Sequence, residues 1–372
     1  MSAPQDSPTP PVEGQNVRFR CPNCGAALRW DPDADALHCD HCGKTIAVPR
    51  LEGTIVEHPL EEASSAPVGL ELEVRVARCT ECGAQVAYDA NATAEQCCFC
   101  GSPQVLEQSA NRHALRPESL IPLDVGRATV EQGFRKWISS LWFRPSALAR
   151  TREFQAVGVY VPYWTFDASV DAKWSADAGY YYYVPVTHTA MVNGRMVTQT
   201  RMERRVRWEP AWGERHDDYD DVLVHASRGL SAALAAKLGA WDMRALVRYR
   251  PEYLAGWRAE EYSVDLEQGW KNGLATIEGL ERERCSGDVP GDTQRDLRVQ
   301  NTVSGVRWKH LLLPMWSLTY RFGGKNYAVL IHGQTGKVVG EAPLSWIKIL
   351  GFTLLVLALV AAGLAILASA SS

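Results

Sequence analysis

The sequence predicts an α+β fold: an antiparallel β-rich domain with helices, two small four-cysteine modules ahead of it and one apolar helix behind it. Three observations predict this. The spacing C-x2-C-x14-C-x2-C occurs twice near the N-terminus. Extended patterns over 156–212 and about 298–340 flank a stretch of helical periodicity. Residues 349–368 pass without a charge. The bulk composition agrees: of 372 residues, 46% are hydrophobic and 22% charged, ordinary globular values. That excludes a fully disordered, collagenous or multi-span membrane protein. A net charge of −4 argues against a strongly basic nucleic-acid binder. Ten cysteines are too few for a disulfide mini-protein. Thirteen tryptophans imply a packed aromatic core or an interface.

The chain opens on residues 1–15, where Pro4, Pro8, Pro10 and Pro11 and the lack of an apolar run predict a disordered leader. It has no basic-then-apolar pattern of a signal peptide. The first module, 16–50, holds Cys21, Cys24, Cys39 and Cys42; after a linker at 51–69, the second, 70–105, holds Cys79, Cys82, Cys97 and Cys100. The second copy lies 58 residues after the first, with Ala84, Tyr88 and Asp89 matching Ala26, Trp30 and Asp31. This is an internal duplication of a zinc ribbon. Zinc takes four soft thiolates in a tetrahedron. Two residues between cysteines let one tight turn present both sulfurs. The glycine after each pair (Gly25, Gly43, Gly83, Gly101) supplies the positive φ that such a turn needs. Val17-Arg18-Phe19 and residues 70–76 read as strands entering the first knuckle of each copy. Four thiolates close each site, so two structural Zn2+ are expected and a catalytic one is not.

Cys98 is an extra thiol, but only Cys97 keeps the two-residue spacing. His38 and His41 flank ligands in sites that four cysteines already complete. Cys285 reads as a free thiol in a charged stretch after a helix. Residues 17–50 carry a net +1 and residues 71–105 a net −3. Four thiolates outweigh one Zn2+, so each filled site is more negative still. Neither module offers the basic face that phosphate contacts require.

Residues 118–345 read as a Trp-rich α+β cytoplasmic domain. Residues 120–123 are short and extended. Thr129 with Gln132 suggests a capping box, and Val130, Phe134, Trp137, Ile138 and Leu141 share one helix face before Pro145. Phe166, Ala168, Val170, Ala172, Trp174, Ala176 and Ala178 alternate with polar residues, as in a strand with one buried face. Asn193-Gly194 reads as a type I′ hairpin turn. Helices follow near 230–238 and at 264–284, and Gly323-Gly324 and Gln334-Thr335-Gly336 mark turns of the second β block. The transmembrane helix is expected at 347–368, and its charge-free stretch 349–368 is about 30 Å long at helical rise. Lys337 and Lys348 precede it and no Lys or Arg follows. The positive-inside rule then predicts a single-pass, tail-anchored protein of the cytoplasmic (inner) membrane, with its N-terminal part in the cytoplasm.

No catalytic constellation emerges. Gly43-Lys44-Thr45 imitates the end of a phosphate loop, but His38 stands where its first glycine belongs. His216-Asp217-Asp218-Tyr219-Asp220-Asp221 reads as a solvated acidic loop, and His188, His225, His310 and His332 as structural histidines.

Beyond the ribbons, the motifs Ile121-Pro122-Leu123, Gly158-Val-Tyr-Val-Pro-Tyr-Trp164, Leu313-Pro-Met-Trp316 with Thr319-Tyr320, and Asn326-Tyr327 followed by His332-Gly-Gln-Thr-Gly-Lys-Val338 and Gly340 carry a resemblance. The chain resembles bacterial tail-anchored membrane proteins with twin zinc ribbons, often labelled TFIIB-type zinc ribbon or primosomal helicase-like. The helicase motifs are absent from this sequence. The resemblance implies work in envelope-stress complexes with phage-shock-type proteins. Three functions are therefore expected, in this order. The first is a non-enzymatic membrane-anchored adaptor or scaffold whose ribbons dock protein partners, without nucleotide or nucleic acid. The second is a membrane-held, replication-related nucleic-acid factor. The third is an enzyme with an unrecognised site in the β-rich domain.

Overall fold

What covers a strand can be read along its side chains, and two long strands of this protein change cover twice. The computed structural model describes residues 19–50, 54–69, 74–89, 96–108, 114–150, 154–192 and 195–370. The expected leader, Val17-Arg18, residues 70–73 and the Asn193-Gly194 turn lie outside the described residues.

In chain order, β1 (Arg29–Asp31), β2 (Ala36–His38) and β3 (Thr45–Ile46) form a three-stranded antiparallel sheet of their own. All later strands join one twelve-stranded sheet. They begin with β4 (His58–Pro59), β5 (Val74–Cys79), β6 (Gln85–Asp89), β7 (Val105–Gln108) and β8 (Ser119–Leu120). Helix α1 (Arg127–Ser140) precedes the two longest strands, β9 (Phe154–Val192) and β10 (Arg195–His225). Then come α2 (Ala232–Leu238), β11 (Val247–Arg248), β12 (Arg258–Glu260), α3 (Leu266–Asp288), β13 (Thr293–Phe322), β14 (Lys325–His332), β15 (Val338–Gly340) and α4 (Trp346–Ala370). The result is an α+β fold. The sheet is antiparallel except where β12 lies parallel to β9 and β8 parallel to β13.

Strand β9 sits between β10 and β13. Residues 158–166 are buried without interruption, as expected where elements cover both sheet faces. From Phe166 to Ala178 every second residue is buried, so one face is covered and one is wet. From 180 onward the strand is half-buried or exposed. Strand β13 runs the same course in reverse: alternation first, then unbroken burial over 308–318.

Helix α3 is the cover of the alternating stretch. Leu266 packs with Trp164 and Phe166, Ile277 with Ala168 and Val170, and Cys285 with Ala172 and Trp174. Its glycines let it approach: a Cβ on Gly269 would come within 2.5 Å of Trp164, and one on Gly273 within 2.8 Å of Phe166. Asp265 caps the helix, its side chain accepting from the Gln268 amide at 2.8 Å. Val264 thus falls outside the helix predicted to contain it. Cys285 lies buried within α3, not after it.

Two further expectations are corrected. Thr129 does not cap α1; the helix begins two residues earlier with Gly126 as its N-cap. The Asp33 carboxylate of the first ribbon packs closely on Gly126, where a Cβ would meet it at 2.5 Å. The acidic run 216–221 is no loop but part of β10, with a register shift between Tyr219 and Val222 and Asp221 at φ 53°. The α1 stripe packs inward, with Val130, Phe134 and Ile138 buried. Gly323 and Gly324, at φ 58° and 78°, join β13 to β14, the backbone a type I′ turn requires.

Candidate metal centres

The four Cys-x2-Cys-Gly segments fold alike. In each, the glycine amide donates to the carbonyl of the first cysteine: Gly25 to Cys21 at 2.8 Å, Gly43 to Cys39 at 2.9 Å, Gly83 to Cys79 at 3.0 Å and Gly101 to Cys97 at 2.9 Å. The first cysteine's own amide donates five residues on, to Ala26, Lys44, Ala84 and Ser102, at 2.7–2.9 Å. All four glycines have φ of 70–79°. This left-handed corner turns both sulfurs to one side.

Paired knuckles then bring together the eight predicted cysteines in two groups. In the first, Cys21 and Cys42 Sγ are 3.5 Å apart, as are Cys24 and Cys39. In the second, Cys79 and Cys100 are 3.6 Å apart, as are Cys82 and Cys97. Within each group all sulfurs lie inside 4.8 Å. A disulfide needs about 2.05 Å, so these are not bridges. Four sulfurs about 2.3 Å from one Zn2+ would sit roughly 3.8 Å apart. The distances and the all-thiolate donor set fit one structural Zn2+ per group.

Cys98 stays out of its cluster. It is buried, and it is not among the four sulfurs that come together in the second group. Its carbonyl accepts from Ser317 Oγ at 2.5 Å. His38 approaches Asp40 at 3.9 Å and His41 is exposed; neither belongs to a metal-binding group among the described residues.

In a third cluster, Asp167, Asp220 and Asp221, one carboxylate is paired with a lysine. Lys309 Nζ lies 2.6 Å from Asp221 and 2.8 Å from Glu57. Burial raises Asp167 to about 6. Farther along β10, Asp217 pairs with Arg215 and Arg284. His225 and His310 are driven down to about 4 by burial, and His332 stacks on Trp241 at 3.7 Å. His188 is exposed. A cleft of about 590 Å3 between the first ribbon and the sheet is lined by Arg29, Asp31, Asp33, Arg127, Trp257 and Trp316. Arg29 pairs with Asp40 and Arg127 with Glu131.

One buried group escaped sequence reasoning. Glu260 of β12 is inside the protein beside the second ribbon, its Oε1 accepting from Ser227 Oγ. Burial lifts its carboxyl to about 8. Nothing in the local sequence Arg258-Ala259-Glu260 marks it as buried.

Helix α4 is long and apolar enough to cross a membrane, and no residue of its window Trp346–Leu364 is buried in the rest of the protein.

No family model matches the chain. It is 27% identical, over 333 residues, to a Bacillus subtilis (strain 168) protein described as the uncharacterized protein YdjG, covering 88% of this chain and 91% of that one. No solved structure matches.

Proposed function

We propose that this chain is a non-enzymatic, membrane-anchored adaptor whose ribbons dock protein partners, with the part N-terminal to the span in the cytoplasm. The envelope-stress setting that the resemblance implies belongs to the same reading. The observation that carries it is the pairing of two closed four-cysteine modules with an unburied apolar helix in one chain. Closed sites offer no position for a substrate. The ribbons lack a basic face, which leaves protein surfaces as their natural partners. Cross-linking in membranes followed by mass spectrometry tests this. A partner linked to residues 19–50 or 74–108 and lost on zinc removal supports the adaptor. Turnover by the intact protein of any small-molecule substrate overturns it.

A second reading has one feature in its favour. Beyond Gly179, β9 and β10 continue as a two-stranded hairpin bearing Tyr180, Tyr181, Tyr182 and Tyr183 opposite Arg204, Arg205 and Arg207. Arg204 stacks over Tyr181 at 4.3 Å. Interleaved aromatic and guanidinium groups suit single-stranded nucleic acid. Submicromolar, steeply salt-dependent binding by the intact protein, lost in R201Q/R204Q/R205Q, would favour this reading over the adaptor.

A further inference from the structure

The turn after α1 is fastened to the start of the apolar helix. Ser345 N donates to the Phe143 carbonyl at 2.8 Å, and Lys348 Nζ to the Trp142 carbonyl at 3.2 Å. The Arg144 guanidinium donates to the Ala342 carbonyl. The Phe143 ring meets Phe352 edge-on, 5.4 Å between centroids. Phe352 lies six residues past Trp346, roughly 9 Å along the helix axis. Phe143 therefore reaches into the level of the span itself.

The turn is also left bare by the protein. Trp142 is 75% exposed, Phe143 37%, Trp346 74% and Ile347 86%. An indole this exposed is out of place in water and well placed at a membrane interface. Charge points the same way. From Gln132 to Arg150 there is no acidic residue, while Arg135, Lys136, Arg144 and Arg150 are basic; Arg135 and Lys136 are exposed on α1. A basic segment carrying the exposed aromatics matches the anionic headgroups of a cytoplasmic leaflet.

We infer that residues 141–144 form a second membrane contact, placing Trp142 and Phe143 in the headgroup region of the bilayer that α4 crosses. This rests on the membrane-anchor reading of α4. Two adjoining contacts fix the tilt of the sheet relative to the bilayer, where a lone helix would leave a swivel.

The test uses the full-length chain in nanodiscs of brominated phosphatidylcholine and phosphatidylglycerol, reading tryptophan quenching. Trp142→Phe and Trp346→Phe should each remove a quenchable component relative to the parent. Trp212→Phe is the control: Trp212 is 77% exposed and pairs with Ser175, about 70 Å along β9 from Phe154. It should remove emission that the brominated lipid does not quench. Zinc content, read as two ions per chain, confirms that each variant folds. If Trp346→Phe loses quenching and Trp142→Phe does not, the second contact is overturned and the anchor stands. If neither does, the anchor reading fails first.

Discussion

The two ribbons share a spacing, a turn and a ligand set, yet they attach to the rest of the protein differently. The first keeps its strands in a separate sheet and docks chiefly through side chains. Trp30 Nε1 donates to the Leu123 carbonyl at 3.1 Å, and Trp257 Nε1 to the Trp30 carbonyl at 3.0 Å. The matching residue of the second ribbon, Tyr88, lies in β6, which pairs with β12 and through it with β9. Where Trp30 meets Tyr253 edge-on at 4.7 Å, Tyr88 lies under the Arg258 guanidinium at 4.7 Å. The exposure of the ligands follows. Cys24 and Cys42 are exposed, whereas Cys82 and Cys100 are only partly so. The duplicated local code fixes the knuckle, and the surrounding chain decides whether it becomes a docked module or part of the sheet.

The largest effect that breaks this symmetry is loss of a ligand. Cys24→Ser and Cys82→Ser should each drop the metal content from two zinc ions to one. Small modules of this kind need the metal to fold. Cys24→Ser should speed amide exchange over 19–50 and at 251–257, where Trp30 N bonds Ala255 O. Cys82→Ser should spread further, to β12 and the 157–163 stretch of β9, because a sheet ladder is opened. Exchange mass spectrometry on both variants decides. Equal, local effects would show that ladder membership carries no coupling.

Next in size is Trp30→Ala. The side chain is almost completely buried in the core shared with Leu123, Tyr253 and Trp316. Its loss should cost about 3–5 kcal/mol. Tyr88→Ala should cost less: Tyr88 is buried too, but part of its contact is a cation–π pair with the half-buried Arg258, and its ring is smaller than an indole. Thermal unfolding of the two variants in detergent measures the difference.

A smaller, pH-dependent effect belongs to the second ribbon alone. Glu260 has a folded pKa near 8 against an ordinary value of 4.5. Between those values the unfolded chain ionises while the folded one keeps its proton. Stability therefore falls as pH rises through the window. Glu260→Gln removes the loss, and its advantage over the parent should grow by about 2–3 kcal/mol from about pH 6 to about pH 8.5. A constant difference across that range would mean that Glu260 is ionised in the fold.

These contrasts also mark how far the sequence could be read. The eight ligands and their turns were legible because cysteine spacing and glycine φ are local properties. The buried alternation from Phe166 to Ala178 was legible because a sheet face has a fixed period of two. The start of α1 was not: its N-cap, Gly126, offers no capping side chain and packs against Asp33, ninety-three residues earlier in the chain. The acidic run 216–221 looked like a loop because charge usually marks solvent. Two of its carboxylates are instead paired: Asp217 with Arg215 of the same strand and Arg284 of α3, and Asp221 with Lys309 of β13. Nor could any spacing rule tell a docked ribbon from one merged into the sheet, because β12, which makes that difference, lies far along the chain.

The smallest effect separates backbone strain from neighbour contact at one equivalent position. Gly43 and Gly101 close the second knuckle of each ribbon at nearly the same φ, 73° and 70°. A Cβ on Gly43 would meet nothing within 4 Å, whereas one on Gly101 would come within 3.1 Å of the Asn326 side chain. That side chain is itself engaged, its Nδ2 donating to the Gly101 carbonyl at 2.9 Å. Gly43→Ala should therefore show only the cost of a left-handed alanine, about 1 kcal/mol. Gly101→Ala adds displacement of Asn326 and a weakened bond between the second ribbon and β14. In zinc-chelator competition both variants should release metal more readily than the parent, Gly101→Ala the more. If Asn326→Ala is made first, the two alanine substitutions should become equal, because what remains at each site is the same backbone strain.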